Sequence, residues 1–194
     1  MLFVSIYLAR EMIENKIYQL DLAINTWVIS LRNPILTAVM KIISNIGMIG
    51  GVFVIGFIAT YLFFYKKIQL MFGLLVAAIG SALTVELVKL LIARNRPELT
   101  SRLVVEYGFS FPSGHTTTAF AAFPILAIVV YFSTKISRIS KYLLIITLLI
   151  FAFLVAFSRV YLGVHYFTDV VAGTMVGLSA TCVFYYFHSK YYYV

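Results

Sequence analysis

The sequence predicts an all-α fold, a polytopic membrane helix bundle of about six transmembrane helices with an interfacial amphipathic helix near the N-terminus. Three observations predict it. First, 62% of the residues are hydrophobic, only 11% are charged and mean hydropathy is +1.00, whereas soluble domains carry about 25% charged residues. Second, windows 47–65, 68–88, 114–134, 142–158 and 170–189 are each near the ~20 residues that a spanning helix needs, and Glu86 is their only charged side chain. These runs are continuous and lack the alternation of a membrane β-barrel. Third, Lys66 and Lys67, then Lys135, Arg138 and Lys141, then Lys190 flank the windows in stretches without an acid, which marks them as cytoplasmic. The length suits a single domain over residues 1–194, with a motif-bearing core at 47–189.

Taken in order, residues 1–9 form an apolar run too short to span alone. It lacks the basic flank and small-residue cleavage site of a signal peptide. Two readings stay open, the end of a short first span reaching towards Arg10–Lys16 or an interfacial segment. Ile17, Leu20, Ile24, Trp27 and Leu31 then recur at helical spacing, with Gln19, Asp21, Asn25 and Ser30 elsewhere on the wheel, as expected of an amphipathic helix on the membrane surface. Asn33 and Pro34 end it and suit the cap and first turn of the next helix. Asn45 and Gly47 read as the following turn. Tyr61, Tyr65, Tyr131, Tyr142, Tyr185 and Tyr186 at window ends fit interfacial belts, and the terminal YYYV reads as belt or frayed end. Cys182, the only cysteine, lies in the last window and reads as a small apolar filler.

The net charge of +8 does not imply a nucleic-acid partner, because topology accounts for one set of cations. The other set is unexplained by it. With Lys66 and Lys67 inside, parity brings segments 89–97, 112–115 and 158–169 to the opposite face. There Lys89, Arg94, Arg96, Arg102 and Arg159 mix with Glu98, Glu106 and Asp169, and they need an anionic partner or internal salt bridges.

The first segment, KLLIARNRP, sets Lys89 and Arg96 two helical turns apart, with Pro97 ending the helix at Arg96. Alone, it also reads as a basic cluster touching lipid phosphates. In the second, FSFPSGH, Gly114 permits close backbone approach to an anion. Ser113 and the N–H groups opening the next helix can donate to that anion. A plain helix start with a serine cap explains Ser113 and Gly114 equally well but leaves His115 idle. In the third, SRVYLGVHYFTD, His165 and Asp169 are four apart and share a helical face if the helix begins near His165. An aspartate accepting from one imidazole nitrogen fixes the tautomer and frees the other nitrogen to attack; a satisfied polar pair at the membrane edge is the alternative.

Together the segments collect cations, two histidines and a carboxylate. That inventory suits hydrolysis of a phosphate ester: cations neutralise the phosphoryl oxygens, one histidine attacks phosphorus and the other protonates the leaving oxygen. A metal site would need more carboxylates or histidines in ligand spacing, so neither metal nor cofactor is expected. Outside the motifs, Glu86 lies three residues before Lys89 and is expected to pair with it in support of the site. Arg94 and Arg102 read as headgroup contacts or surface salt bridges, and His188 as an interfacial residue without a catalytic role.

Lys89-x6-Arg96-Pro97, Pro112-Ser113-Gly114-His115 and Ser158-Arg159-x5-His165-x3-Asp169 together resemble the signature of the type-2 phosphatidic acid phosphatase family, integral membrane lipid phosphatases related to vanadium haloperoxidases. The resemblance implies that His165 is the nucleophile, forming a phosphohistidine, that Asp169 orients it, and that His115 is the general acid. It implies further that Lys89, Arg96, Arg159, Ser113 and the Gly114 amide bind the phosphoryl oxygens. Family members usually have six spans, and the first is ill-defined here. The expected partners are a lipid phosphate substrate and membrane lipids. The expected location is the cell membrane, multi-pass, with the site facing outward. Phosphatidylglycerol phosphate, phosphatidic acid and undecaprenyl diphosphate are the candidate substrates. Transfer of phosphate to another lipid would use the same residues, while an anion transporter would need charges along a path across the bilayer.

Overall fold

The structure, a computed structural model, describes residues 17–192, so the apolar run at 1–9, the Arg10–Lys16 stretch and the last two residues lie outside it. Among the described residues six α-helices follow one another: α1 (Tyr18–Ser30), α2 (Pro34–Phe64), α3 (Ile68–Ile92), α4 (Gly114–Phe132), α5 (Arg138–Tyr161) and α6 (Phe167–Tyr191), with a short 3-10 turn at Leu99–Ser101. There is no strand among the described residues. The last five helices are each long and apolar enough to cross a membrane.

Helix α2 corrects one expectation. Asn33 caps it as predicted, its side chain accepting from the Leu36 amide, and Pro34 occupies the first turn, where its missing N–H costs nothing. No turn follows at Asn45 and Gly47: the helix runs unbroken for 31 residues. At 1.5 Å per residue it is about 46 Å long, longer than a hydrocarbon core of about 30 Å. The polar residues that shortened the hydropathic window belong to its first turns, where Thr37 meets the Tyr161 hydroxyl at 3.1 Å and Ser44 meets Arg159. Gly47 is a packing residue, since a Cβ there would sit 2.2 Å from Val155.

Helix α4 is the central column. Of its spanning window 61% is buried, against 22–33% for the other four, and it packs on α2, α3, α5 and α6. Its contact with α6 is set by small residues. A Cβ at Gly173 would lie 2.6 Å from the Ser113 carbonyl oxygen, and one at Gly177 2.7 Å from that of Thr117. Their absence lets the backbones approach, as small-xxx-small pairs do in membranes. Thr117 Oγ1 donates to the Gly173 carbonyl at 3.1 Å and Thr181 Oγ1 to that of Phe120 at 3.0 Å. The segments bearing His115 and His165 are therefore clamped together.

Helix α1 is amphipathic as predicted, and its polar stripe points inward. Asp21 and Asn25 are buried, whereas Leu20, Trp27 and Leu31 are exposed. This inversion suits a helix whose outer face meets lipid. Cys182 is exposed on α6 rather than packed as a filler. His188, in the last turn of α6, is 2% exposed and lies among Phe132, Phe184 and Tyr192, stacked on the last at 4.3 Å. Tyr192 also donates to the Phe132 carbonyl, so this part of the terminal tyrosine run is packed rather than frayed.

Candidate active site

Three chain segments meet at the end of the bundle where α2 begins, α3 ends and α6 begins. Helix α3 stops at Ile92, because Ala93 is left-handed at φ 48°. Arg94 and Arg96 are thus delivered by extended chain, not by the helix carrying Lys89, and the expected end at Arg96 falls four residues too late. The second segment opens α4. The third is a tight turn through Gly163, at φ 72°, where a Cβ would also lie 2.3 Å from the Ser101 carbonyl oxygen. Only glycine suits both demands. The Ser113 amide donates to the Asp169 carbonyl at 3.0 Å and ties the second segment to the third.

A cavity of about 560 Å³ opens at this end and continues between α2 and α3, with Lys89, Arg96, Glu106, Gly114, His115 and His165 in its wall. His165 is buried, with Nδ1 3.3 Å from Asp169 Oδ2 and Nε2 3.1 Å from Arg96 Nη1. A guanidinium can only donate, so Nε2 accepts. The proton therefore sits on Nδ1, facing the carboxylate. Burial lowers the His165 pKa to about 4; hydrogen bonding and attraction from Asp169 oppose that fall, and Arg159 and Arg96 add to it. At neutral pH the ring is uncharged, and its unprotonated Nε2 lone pair accepts from Arg96 Nη1. Asp169 also accepts from the Tyr166 amide at 2.9 Å, which closes the N-terminal turn of α6.

Arg96 is held by three carbonyls as well, those of Gly108, Tyr107 and Val164, each at 3.0 Å. Burial lowers its pKa, against the pull of Glu106 and Asp169. Arg159 is 1% exposed, reaches Ser44 and Glu106, and leaves its buried Nε without a partner. Lys89 Nζ lies 4.0 Å from where a Gly114 Cβ would stand, and pairs with Glu86 at 2.8 Å as expected from the sequence. Ser113 is fully buried at the cap of α4, its Oγ accepting from Thr116 at 3.0 Å. The cavity wall there is Gly114 and His115. No group of three or more His, Cys, Asp or Glu among the described residues is arranged to hold a metal ion.

Two acids of this end were not singled out from the sequence. Glu106 stands among the cations, bonded to Arg159 and 3.9 Å from both Arg96 and His115. Burial would raise its pKa, but Arg159, His115 and Arg96 outweigh burial and hold it below the usual carboxylate range. Asp21 of α1 pairs with Arg94, which pairs in turn with Asp169, both at 2.6 Å. Arg94 is therefore a strut inside the site, neither a headgroup contact nor a surface salt bridge. Arg102 donates to the Pro97 carbonyl at 2.7 Å. The only sequence signal for Asp21 was a lone acid on the polar side of an amphipathic helix; Glu106 sits in a loop with no periodicity to mark it.

The PAP2 superfamily model matches residues 69–193, which contain all three motifs. The chain is 36% identical to phosphatidylglycerophosphatase B of Bacillus subtilis, over 88% of its own length and 84% of that protein. It is 38% identical over 82 residues to a dihydrosphingosine 1-phosphate phosphatase of Schizosaccharomyces pombe, a match covering 42% of this chain and 20% of that one. The crystal structure of a transmembrane PAP2-type phosphatidylglycerolphosphate phosphatase from Bacillus subtilis superposes with a TM-score of 0.85 at 33% identity, covering 97% of this chain and 94% of the other. Aquifex aeolicus LpxE shares the fold, with a TM-score of 0.64 at 24% identity over 86% of this chain and 95% of that one. The chain belongs to the PAP2 superfamily and is a multi-pass membrane protein.

Proposed function

We propose that this PAP2 superfamily chain is a lipid phosphate phosphatase working through a phosphohistidine. The observation that carries the reading is the His165 ring, Nδ1 on Asp169 and Nε2 bare of a proton inside a cationic cavity shared with His115. Nε2 attacks phosphorus, the ester P–O bond breaks, and His115 gives its proton to the departing oxygen. Water, deprotonated by the same His115, then attacks phosphorus, breaks the P–N bond and releases inorganic phosphate. Lys89, Arg96 and the buried free Nε–H of Arg159 stabilise the phosphoryl oxygens as charge develops on them. A Cβ at Gly114 would meet only ordinary contacts, at 3.9 Å and beyond. Protein packing therefore does not demand glycine there, whereas an anion resting on the backbone would. The Ser113 hydroxyl is fully buried next to that amide, accepts from Thr116 and lies outside the cavity wall.

The acid-free cationic stretches at the other end of the bundle support an outward-facing site. The cavity's extension between α2 and α3 suits an acyl chain whose headgroup reaches the histidines. Phosphatidylglycerol phosphate is the first substrate to try, given the Bacillus subtilis relatives, followed by phosphatidic acid and undecaprenyl diphosphate. A second cleft, about 360 Å³ between α3 and α6, has no charged side chain in its wall; this disfavours an anion path across the membrane.

The test is phosphate release from these three lipids in detergent and in liposomes. Turnover that persists in chelator and stops with vanadate is expected. Purified His165→Ala protein with wild-type turnover would refute the nucleophile assignment.

A further inference from the structure

The three motifs do not account for Asp21. Its side chain is fully buried although it comes from the interfacial helix α1. Oδ1 accepts from the Thr168 amide at 2.9 Å, and Oδ2 from Thr168 Oγ1 and Arg94 Nη2, both at 2.6 Å. Arg94 uses its other terminal nitrogen, Nη1, on Asp169 Oδ1 at 2.6 Å and on Thr168 Oγ1 at 2.9 Å. One guanidinium thus spans two buried carboxylates, with its Cζ 4.0 Å from the Tyr166 ring centroid. Burial disfavours its charge, and Asp169 and Asp21 overcome that, so it stays protonated.

This arrangement divides the two oxygens of Asp169. Oδ1 is taken by Arg94, which leaves Oδ2 for the Tyr166 amide and His165 Nδ1. The carboxylate cannot turn without breaking the Arg94 contact, and Arg94 leaves the helix end on extended chain with Asp21 as its other anchor. Asn25, one turn further along α1, donates to the His165 carbonyl at 3.2 Å. Docking α1 alone would not require this, because apolar side chains would do so without desolvating two acids.

We infer that α1 is a positioning element for the reaction: Asp21, through Arg94 and Thr168, fixes the Asp169 carboxylate that holds His165 with Nε2 towards the cavity. The inference rests on His165 being the nucleophile, and Asp21 itself touches no reacting atom.

The test uses the full-length chain, 15N-labelled at histidine, in detergent micelles. The His165 ring signals, assigned as those missing from His165→Ala, report the tautomer without substrate. The wild type should show a protonated Nδ1 and a bare Nε2. Asp21→Asn places an amide against a donor and should give a tautomer mixture. On dispersed phosphatidic acid it should lower kcat by roughly 10- to 100-fold with KM within about twofold, the size expected when an outer partner of a reactive group is lost. Arg94→Met should do the same, and the double variant should lose little more, because the two act in series. Thr168→Val removes one hydroxyl from the cluster and should shift the same signals less; it carries the test if Asp21→Asn does not fold. A wild-type tautomer and kcat in Asp21→Asn, or fully additive losses with Arg94→Met, would overturn the inference. Failure of the nucleophile reading has a different signature, turnover retained in His165→Ala while Asp21→Asn still disturbs the tautomer.

Discussion

The two ends of the bundle are both cationic, yet they use charge in opposite ways. At the end holding residues 62–70, 131–141 and 190–192, Lys66, Lys135, Arg138 and Lys190 are exposed, and no acid lies nearby in sequence. At the other end Arg94, Arg96 and Arg159 are tied to carboxylates, a hydroxyl or carbonyls. Each end also buries a histidine to 2% exposure. His188 meets aromatic rings, whereas His165 meets a carboxylate and a guanidinium. Burial of a histidine therefore says little about chemistry. The polar groups on its two nitrogens decide whether it is a packing piece or a reactive one.

The sharpest way to break this contrast is to remove each histidine. His165→Ala should lower kcat by at least about 10⁴-fold, as loss of a nucleophile does, while His188→Phe should keep turnover within about twofold and alter only thermal stability in detergent. Comparable losses from both would dissolve the distinction. Next comes Arg159→Met, which removes the proposed phosphoryl donor and strands Glu106; a fall of roughly 10²- to 10³-fold in kcat is expected, the size seen when one preorganised donor is lost. Activity near wild type would mean that Arg159 is purely a scaffold cation.

pH sharpens the comparison further. Because the His165 pKa is depressed to about 4, its lone pair survives well below the ordinary histidine range. The acidic limb of kcat/KM should fall between about pH 4 and 5 rather than near 6.5. Folding linkage has the same origin. The depressed pKa contributes stability fully present above the unfolded value of about 6.5, and this is lost as pH falls towards about 4, because only the unfolded chain takes up that proton. A denaturation series across this window should show that slope, and His165→Phe should flatten it.

A smaller effect concerns Glu106, whose carboxylate holds partners that a phosphate would use. Glu106→Gln should tighten inhibition by inorganic phosphate about tenfold, about 1.4 kcal/mol; weaker inhibition would mean that Glu106 organises the cations instead of competing for them. Replacing Lys66 and Lys67 by alanine should leave turnover unchanged within about twofold, measured in the same assay.

The sequence by itself determined the spans, the Asn33–Pro34 helix start and the convergence of three motifs, because hydropathy, capping and parity are local or periodic properties. The inventory of histidines and cations was legible for the same reason. The sequence did not reveal that Asn45 and Gly47 sit inside a long helix, since polar residues in α2 look like a break until Arg159 and Val155 are seen opposite them. Nor did it mark Asp21 and Glu106, whose partners lie far along the chain. Only the tertiary structure decided those pairings, and with them the His165 tautomer. Which nitrogen carries the proton depends on the groups that face the ring in space, and Arg96 reaches it across a loop whose path no spacing rule specifies.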